Sequence, residues 1–156
     1  MPDIGVLLVE DERMLDRVVA DALRLIGLVC ETASSEEEAV RHLTRRRYDL
    51  IILDLRILQG SGVGVLQQAR RLYPDLPVVV VTAYTTAEDV AHALALGIDA
   101  LLYKPFDIDT LLNTVRALLT RRAPIAYAAV QMPAGAPRGV CWLEVGALAT
   151  LRAESR

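Results

Sequence analysis

The chain has 156 residues, 53% hydrophobic and 24% charged, which suits one domain with room for an appendage and supplies enough apolar material for a full core, against disorder. A net charge of −3 and pI of about 5.4 exclude a global basic field, so this domain is not expected to bind nucleic acid directly. No apolar run reaches membrane-spanning length and Met1-Pro2-Asp3 lacks the basic region of an export signal, so no membrane partner and a cytoplasmic location are expected.

Ile4–Val9 is an apolar run of the length and composition of a buried strand, and Glu10 and Asp11 end it. Leu15, Val18, Val19, Ala22 and Ile26 then fall at helical spacing, with Gly27 as the stop. Leu28–Ala33 reads as a second strand. Ser35 followed by Glu38 is a capping-box pattern for a helix that buries Ala39, Val40 and Leu43. Leu50–Leu53 is a third strand ending at Asp54. The loop Gly60-Ser61-Gly62 leads into a helix carrying Val65, Leu66, Ala69 and Leu72, which Pro74 ends.

Val78–Val81, opened by Pro77, is an unbroken β-branched run that belongs in a sheet interior. A fourth helix is expected from about Thr86 to Leu96, stopping at Gly97, then a fifth strand, Ala100–Tyr103. Asp107 or Asp109 starts a last helix with Ile108, Leu111, Leu112, Val115 and Leu118 inward. Alternating strands and helices imply a parallel sheet covered on both faces, a doubly wound α/β domain over residues 1–122. Residues 123–156 form a separate extension, packed or linking, with Pro124, Pro133, Pro137 and the single tryptophan, Trp142. In it, Ile125–Val130 is a candidate strand, and three-residue apolar steps favour a short helix within Val140–Leu151.

The remaining features read as structural. The arginine groups at 45–47, 70–71 and 121–122 lie near helix ends, where solvated cations suit the macrodipole. His42 and His92 read as surface residues without partners. Cys30 and Cys141 match no metal or redox spacing and read as packing residues.

The chemistry gathers at strand ends. If the first and third strands are parallel neighbours, Glu10, Asp11 and Asp54 meet at the carboxyl edge, where open α/β sheets bind ligands. Clustered carboxylates need a cation, and oxygen ligands suit Mg²⁺ or Mn²⁺. Thr82 and Lys104 fall at the ends of the fourth and fifth strands. Together they describe phosphoryl acceptance: Asp54 as the nucleophile, and Mg²⁺ held by Asp11, Asp54 and, through water, Glu10. Lys104 is then a point cation on the phosphoryl oxygens and the Thr82 hydroxyl a donor to them. The bland alternatives are an Asx-turn at Asp54 and capping of the first helix by Glu10 and Asp11.

Four segments in order carry a family resemblance: Val6–Glu12 with its acidic end, Ile51–Leu55 with Ser61-Gly62 beyond it, Val81-Thr82-Ala83, and Lys104-Pro105-Phe106. The chain over residues 3–122 resembles the receiver domains of two-component response regulators. That resemblance implies a flavodoxin-like (βα)₅ sheet in strand order 2-1-3-4-5, a histidine kinase or phosphotransfer protein as donor to Asp54, and only self-directed catalysis, its own phosphorylation and dephosphorylation. It also implies a cis Lys104–Pro105 bond, a metal-ligating backbone carbonyl at Arg56, and homodimerisation through helix four, strand five and helix five. Arg56 and Tyr84 should border the pocket, as brakes on water attack or as plain rim residues.

Three positions depart from the family pattern: Leu58 where proline is common, Glu10 where aspartate is more frequent, and Leu101 at the place of the switch aromatic. Leu58 implies a looser acceptor loop. Leu101 fills space but cannot rotate a hydroxyl between solvent and core; Tyr103, beside Lys104, faces opposite to its strand neighbours. The expectation is a phosphorylation-switched regulator, with a switching-impaired interaction scaffold as the alternative. An aspartyl phosphatase is disfavoured because it wants an acid two residues after the nucleophile, where Arg56 stands.

Overall fold

The computed structural model describes residues 3–83 and 86–120, together with the backbone of 128–129 and 142–143. In chain order the elements are β1 (Gly5–Val9), α1 (Arg13–Leu25), β2 (Val29–Ala33), α2 (Glu36–Arg45), β3 (Leu50–Leu53), α3 (Gly62–Leu72), β4 (Val78–Thr82), α4 (Ala87–Leu96), β5 (Ala100–Tyr103) and α5 (Ile108–Leu119). The five strands are parallel in the order β2-β1-β3-β4-β5. The doubly wound sheet is the one expected from the alternation, and its flavodoxin-like strand order is the one the family resemblance implied.

Side chains of successive strand residues point to opposite faces, and each face has its own helices. Leu7, Val9, Ile51, Leu53, Val78, Val80 and Leu101 pack with α2, α3 and α4. Val6, Leu8, Leu50, Ile52, Val79, Val81 and Leu102 pack with α1 and α5. Covering on both sides explains why β1, β3 and β4 are apolar without alternation.

Helix ends follow local chemistry. Ser35, Ser61 and Thr86 each accept a backbone N–H of the first turn of α2, α3 and α4. Gly27 and Gly97 take positive φ where α1 and α4 stop. Gly62 is a glycine for a different reason: a Cβ there would run into the backbone carbonyl of Asp54, which the start of α3 approaches closely.

Several expectations change in three dimensions. Val18, at helical spacing with the buried residues, is 51% exposed, because Val19, Ala20 and Leu23 form the inward stripe of α1. Leu72 likewise faces outward at the end of α3. His42 does have partners: its Nδ1 lies 3.1 Å from the Tyr48 hydroxyl and 3.4 Å from Glu31. His92 lies 3.5 Å from the Gln67 amide nitrogen. Arg46 stacks on the Tyr48 ring and pairs with Glu31, and Arg70 is half-buried. The Arg70 guanidinium donates to the Gly97 carbonyl (2.6 and 2.9 Å) and to the Leu76 carbonyl (2.6 Å), tying α3 to the end of α4. A cation beside a helix end was foreseen; that the end belongs to another helix was not. Cys30 is buried as expected, and burial pushes its thiol up to about 11.

In the extension, Ala128–Ala129 (β6) and Trp142–Leu143 (β7) pair antiparallel. Ala128–Ala129 fall within the expected strand, and at Trp142–Leu143 strand pairing replaces the expected helix, since a partner strand supplies the backbone hydrogen bonds that a helix makes internally. The other residues of both segments, and Cys141, lie outside the described ones.

Ile52 sits in the central strand with no exposed surface, against α1 and α5. Ile52→Ala is expected to lower unfolding free energy by about 3 kcal/mol, read as a fall in denaturation midpoint at constant m-value in urea.

Candidate functional site

Strand register builds the site. Val9 is level with Leu53 across the β1–β3 pair, so the next residues, Glu10 and Asp54, emerge side by side at the carboxyl edge. Thr82 is level with Tyr103 across β4–β5, and Lys104 follows. The Lys104–Pro105 bond is cis, as the family resemblance implied.

Lys104 Nζ lies 2.7 Å from Glu10 Oε2 and 2.8 Å from Asp54 Oδ2, with Glu12 at 4.0 Å. The other oxygens take backbone donors: Asp54 Oδ1 accepts from Arg56 N–H (2.9 Å) and Glu10 Oε1 from Glu12 N–H (3.1 Å). Asp11 Oδ2 accepts from Leu58 N–H at 2.6 Å. Glu10 and Asp54 are each 3% exposed, so one ammonium serves two buried carboxylates. The Asx-turn at Asp54 is therefore real, and it coexists with the cluster instead of replacing it. The capping alternative holds only in part: Glu12 is the N-cap of α1 and its own side chain makes no capping bond, while Glu10 accepts the Glu12 N–H.

One oxygen each from Glu10, Asp11 and Asp54 lie within 4.8 Å of one another. Three carboxylates of that spacing, with no nitrogen or sulfur donor, fit a hard divalent cation such as Mg²⁺. They line a cleft of about 580 Å³ with Arg56, Leu58 and Lys104. The Thr82 hydroxyl is fully buried and has no hydrogen-bond partner among the described residues. Such a group is costly to leave unmade and suits a partner that arrives later. Tyr84 lies outside the described residues. Leu101 is fully buried in the core under α2, α3 and α4, and Tyr103, half-buried, packs against that same cluster.

Two features were not legible in sequence. The Leu58 amide bonds Asp11, which a proline at position 58 would forbid, so the departure itself was the available signal. Asp16, on α1, has one buried oxygen without a partner among the described residues, beside a second cleft of about 380 Å³ that also touches Glu10 and Asp11. Burial raises its carboxyl, and only its place in the first turn of α1 hinted at this position.

Charge in the cluster is uneven. Burial, with Asp54 adding to it and Lys104 opposing it, pushes the Glu10 carboxyl up to about 7. Burial lowers Lys104, but its hydrogen bonds to Asp54 and Glu10 outweigh that and hold the ammonium above its ordinary range.

A two-faced parallel sheet with three carboxylates, an ammonium and an unpartnered hydroxyl at its carboxyl edge defines a pocket for a divalent cation and an oxyanion. Residues 6–116 match the response regulator receiver domain family. The chain is 37% identical over 118 residues to the probable transcriptional regulatory protein TcrX of Mycobacterium tuberculosis, covering 76% of this chain and 50% of that protein. It is 35% identical over 132 residues to the transcriptional regulatory protein PrrA of Mycobacterium leprae, covering 85% and 57%. The signal receiver domain of a putative Luxo repressor protein from Vibrio parahaemolyticus superposes with a TM-score of 0.71 at 26% identity, covering 77% of this chain and 92% of that one. The chain belongs to the response regulator receiver family, the phosphorylation-switched modules of two-component signalling, which are generally signal transducers and not enzymes. Receiver domains bind Mg²⁺ through acidic residues and interact with histidine kinases or phosphotransfer proteins. The chain spans about half the length of the curated relatives it matches. No helix among the described residues is long and apolar enough to cross a membrane.

The raised Glu10 carboxyl has a pH consequence for the metal-free protein. Its folded value, about 7, exceeds the ordinary 4.5, so the folded state binds the extra proton and the associated stability is complete below about pH 4.5. That stability is lost as pH rises through 7. In EDTA, the melting temperature of the wild type is expected to fall between pH 4.5 and 7 relative to that of Glu10→Gln; parallel profiles for the two would refute it.

Proposed function

We propose that Asp54 is the phosphoryl acceptor of this receiver, and the observation that carries the reading is the Lys104 bridge between Asp54 and Glu10. An ammonium already within hydrogen-bond distance of the nucleophile's oxygen stands where phosphoryl oxygens arrive. In the reaction, an Asp54 carboxylate oxygen attacks the phosphorus of a phosphohistidine. The new O–P bond makes an acyl phosphate as the N–P bond breaks and the imidazole leaves with the electron pair. Asp11, Asp54, the Arg56 backbone carbonyl and, through water, Glu10 would hold Mg²⁺ (or Mn²⁺), which when bound neutralises charge on the transferring group. Lys104 then shifts its hydrogen bonds toward the phosphoryl oxygens. Thr82 finds there the acceptor that its buried hydroxyl lacks. Hydrolysis of the acyl phosphate by the same pocket resets it; Arg56, which lines the cleft, modulates the water's approach or is a plain rim residue, and Tyr84, two residues after Thr82 in sequence, is assigned the same alternatives.

The donor is a histidine kinase or phosphotransfer protein of the cytoplasm. The output is a change in partner binding or in self-association through α4, β5 and α5. Residues 123–156 form an appendage to the receiver at 1–122. A second reading, a scaffold with weak switching, is favoured by one observation: Leu101 is fully buried and has no hydroxyl to relocate.

Incubation with Mg²⁺ and acetyl phosphate, or with a beryllofluoride mimic, is expected to modify the wild type and to leave Asp54→Ala unmodified, scored by intact mass and by nuclear magnetic resonance. A wild type that takes up neither would end the acceptor reading. Uptake with no change in the amide spectrum of α4, β5 and α5 would decide for the scaffold.

A further inference from the structure

The segment between β3 and α3 carries Asp54 at its start, then the Arg56 carbonyl and the Leu58 amide. Leu55 and Ile57 anchor it in the core, but beyond Ile57 it leaves the core, and Leu58 is 92% exposed. From there only polar ties hold the chain. Position 58 is leucine, so no ring restricts its φ, and its amide is free to donate to Asp11.

The far end of this segment is held by Glu36, the first residue of α2. Its backbone N–H donates to the Gln59 carbonyl (3.1 Å), and its carboxylate Oε2 accepts from Ser61 N–H (2.6 Å). The side chain lies in a space left by two glycines: a Cβ on Gly60 or Gly64 would collide with Glu36, and Gly60 has φ 98°. The carboxylate is not used by its own helix. Ser35 caps α2 through Glu38 N–H, and Glu38 reaches back to Ser34. Glu36 is thus a carboxylate of α2 turned wholly to the acceptor loop.

We infer that Glu36 is a positioning residue for phosphoryl transfer: with Asp11 on Leu58, it clamps the β3–α3 loop so that the Arg56 carbonyl and Asp54 stay aligned with Glu10 and Asp11. The inference rests on the reading of Asp54 as acceptor and deepens it. The tether supplies from outside the loop the rigidity that a residue with fixed φ at position 58 would supply from within. Without it, the stretch from Leu58 to Ser61 is free to lift, and the Leu58 amide leaves Asp11.

The full chain is compared as wild type, Glu36→Ala, Glu36→Gln and Glu37→Ala. The last removes an equal charge from the same helix turn and serves as the control for the macrodipole. Four quantities are read: amide exchange at Leu58 and Ser61, Mg²⁺ affinity, the rate of modification by acetyl phosphate, and the melting temperature. Glu36→Ala is expected to exchange Ser61 and Leu58 roughly tenfold faster and to lose about tenfold in Mg²⁺ affinity and modification rate, as outer ligand-shell changes do, while melting with Glu37→Ala. Glu36→Gln, whose amide oxygen accepts the same N–H, is expected within about twofold to threefold of wild type.

Ser61 exchange in Glu36→Ala no faster than in Glu37→Ala would overturn the clamp. So would faster exchange with unchanged Mg²⁺ affinity and modification, or a Glu36→Gln as deficient as Glu36→Ala. A wild type that takes up neither metal nor phosphoryl group removes the acceptor reading alone; exchange at Ser61 and Leu58 still judges the tether.

Discussion

Glu10 and Asp54 are buried side by side, and a single ammonium from Lys104 lies between them. Taking two carboxylates out of water is costly unless a cation and further donors meet every oxygen, and removing one partner of such a set leaves a stranded charge. Each carboxylate here also takes a backbone N–H, from Glu12 or Arg56. The arrangement exists only because β1 and β3 are adjacent and parallel. Lys104 comes from β5, two strands away from β3, or about 10 Å in sheet spacing, and its long side chain reaches across the end of β4. The pocket is therefore a property of strand order as much as of residue type.

The two cores share the work. Both faces anchor the strands from which Glu10 and Lys104 emerge, and the face under α2, α3 and α4 contains Leu101 and takes Tyr103 against it. Thr82 is fully buried, level with Tyr103, and its hydroxyl has no partner among the described residues. On the proposed reading, a hydroxyl that gains an acceptor when the pocket is filled would link chemistry at the sheet edge to packing beside β5. Leu101 keeps that side filled with a side chain that has no polar alternative, and Tyr103 packs against the same cluster.

Polar side chains that look like surface residues along the sequence act as ties between elements. Arg70 holds the end of α4, Arg46 and His42 close around Glu31 and Tyr48, and Glu36 reaches the acceptor loop. All are long side chains with an apolar stem and a polar tip, so they bridge elements that share no strand pairing. Arg70 and Glu36 meet backbone groups at the ends of elements, the groups that helices and strands leave unsatisfied, whereas Arg46 and His42 meet side chains. The asymmetry between Gly60 or Gly64 and Glu36 shows the same logic, since an absent side chain in one element makes room for a charged one from another.

The sequence by itself determined the element order, the two-faced sheet and the five residues of the pocket, because period and turn chemistry are local and the strand ends are marked by acid, threonine and lysine in the chain. Its errors were also local in origin: Val18 and Leu72 fit the helical period, yet only packing decides which apolar position faces the sheet. That His42 and Arg46 find Glu31, that Arg70 reaches Gly97 and Glu36 reaches Ser61, that Lys104 bridges Asp54 and Glu10, and that Leu58 donates its amide to Asp11 were decided by tertiary structure alone. Each depends on the distance between segments far apart in the chain, and no spacing along a sequence encodes a distance across a fold.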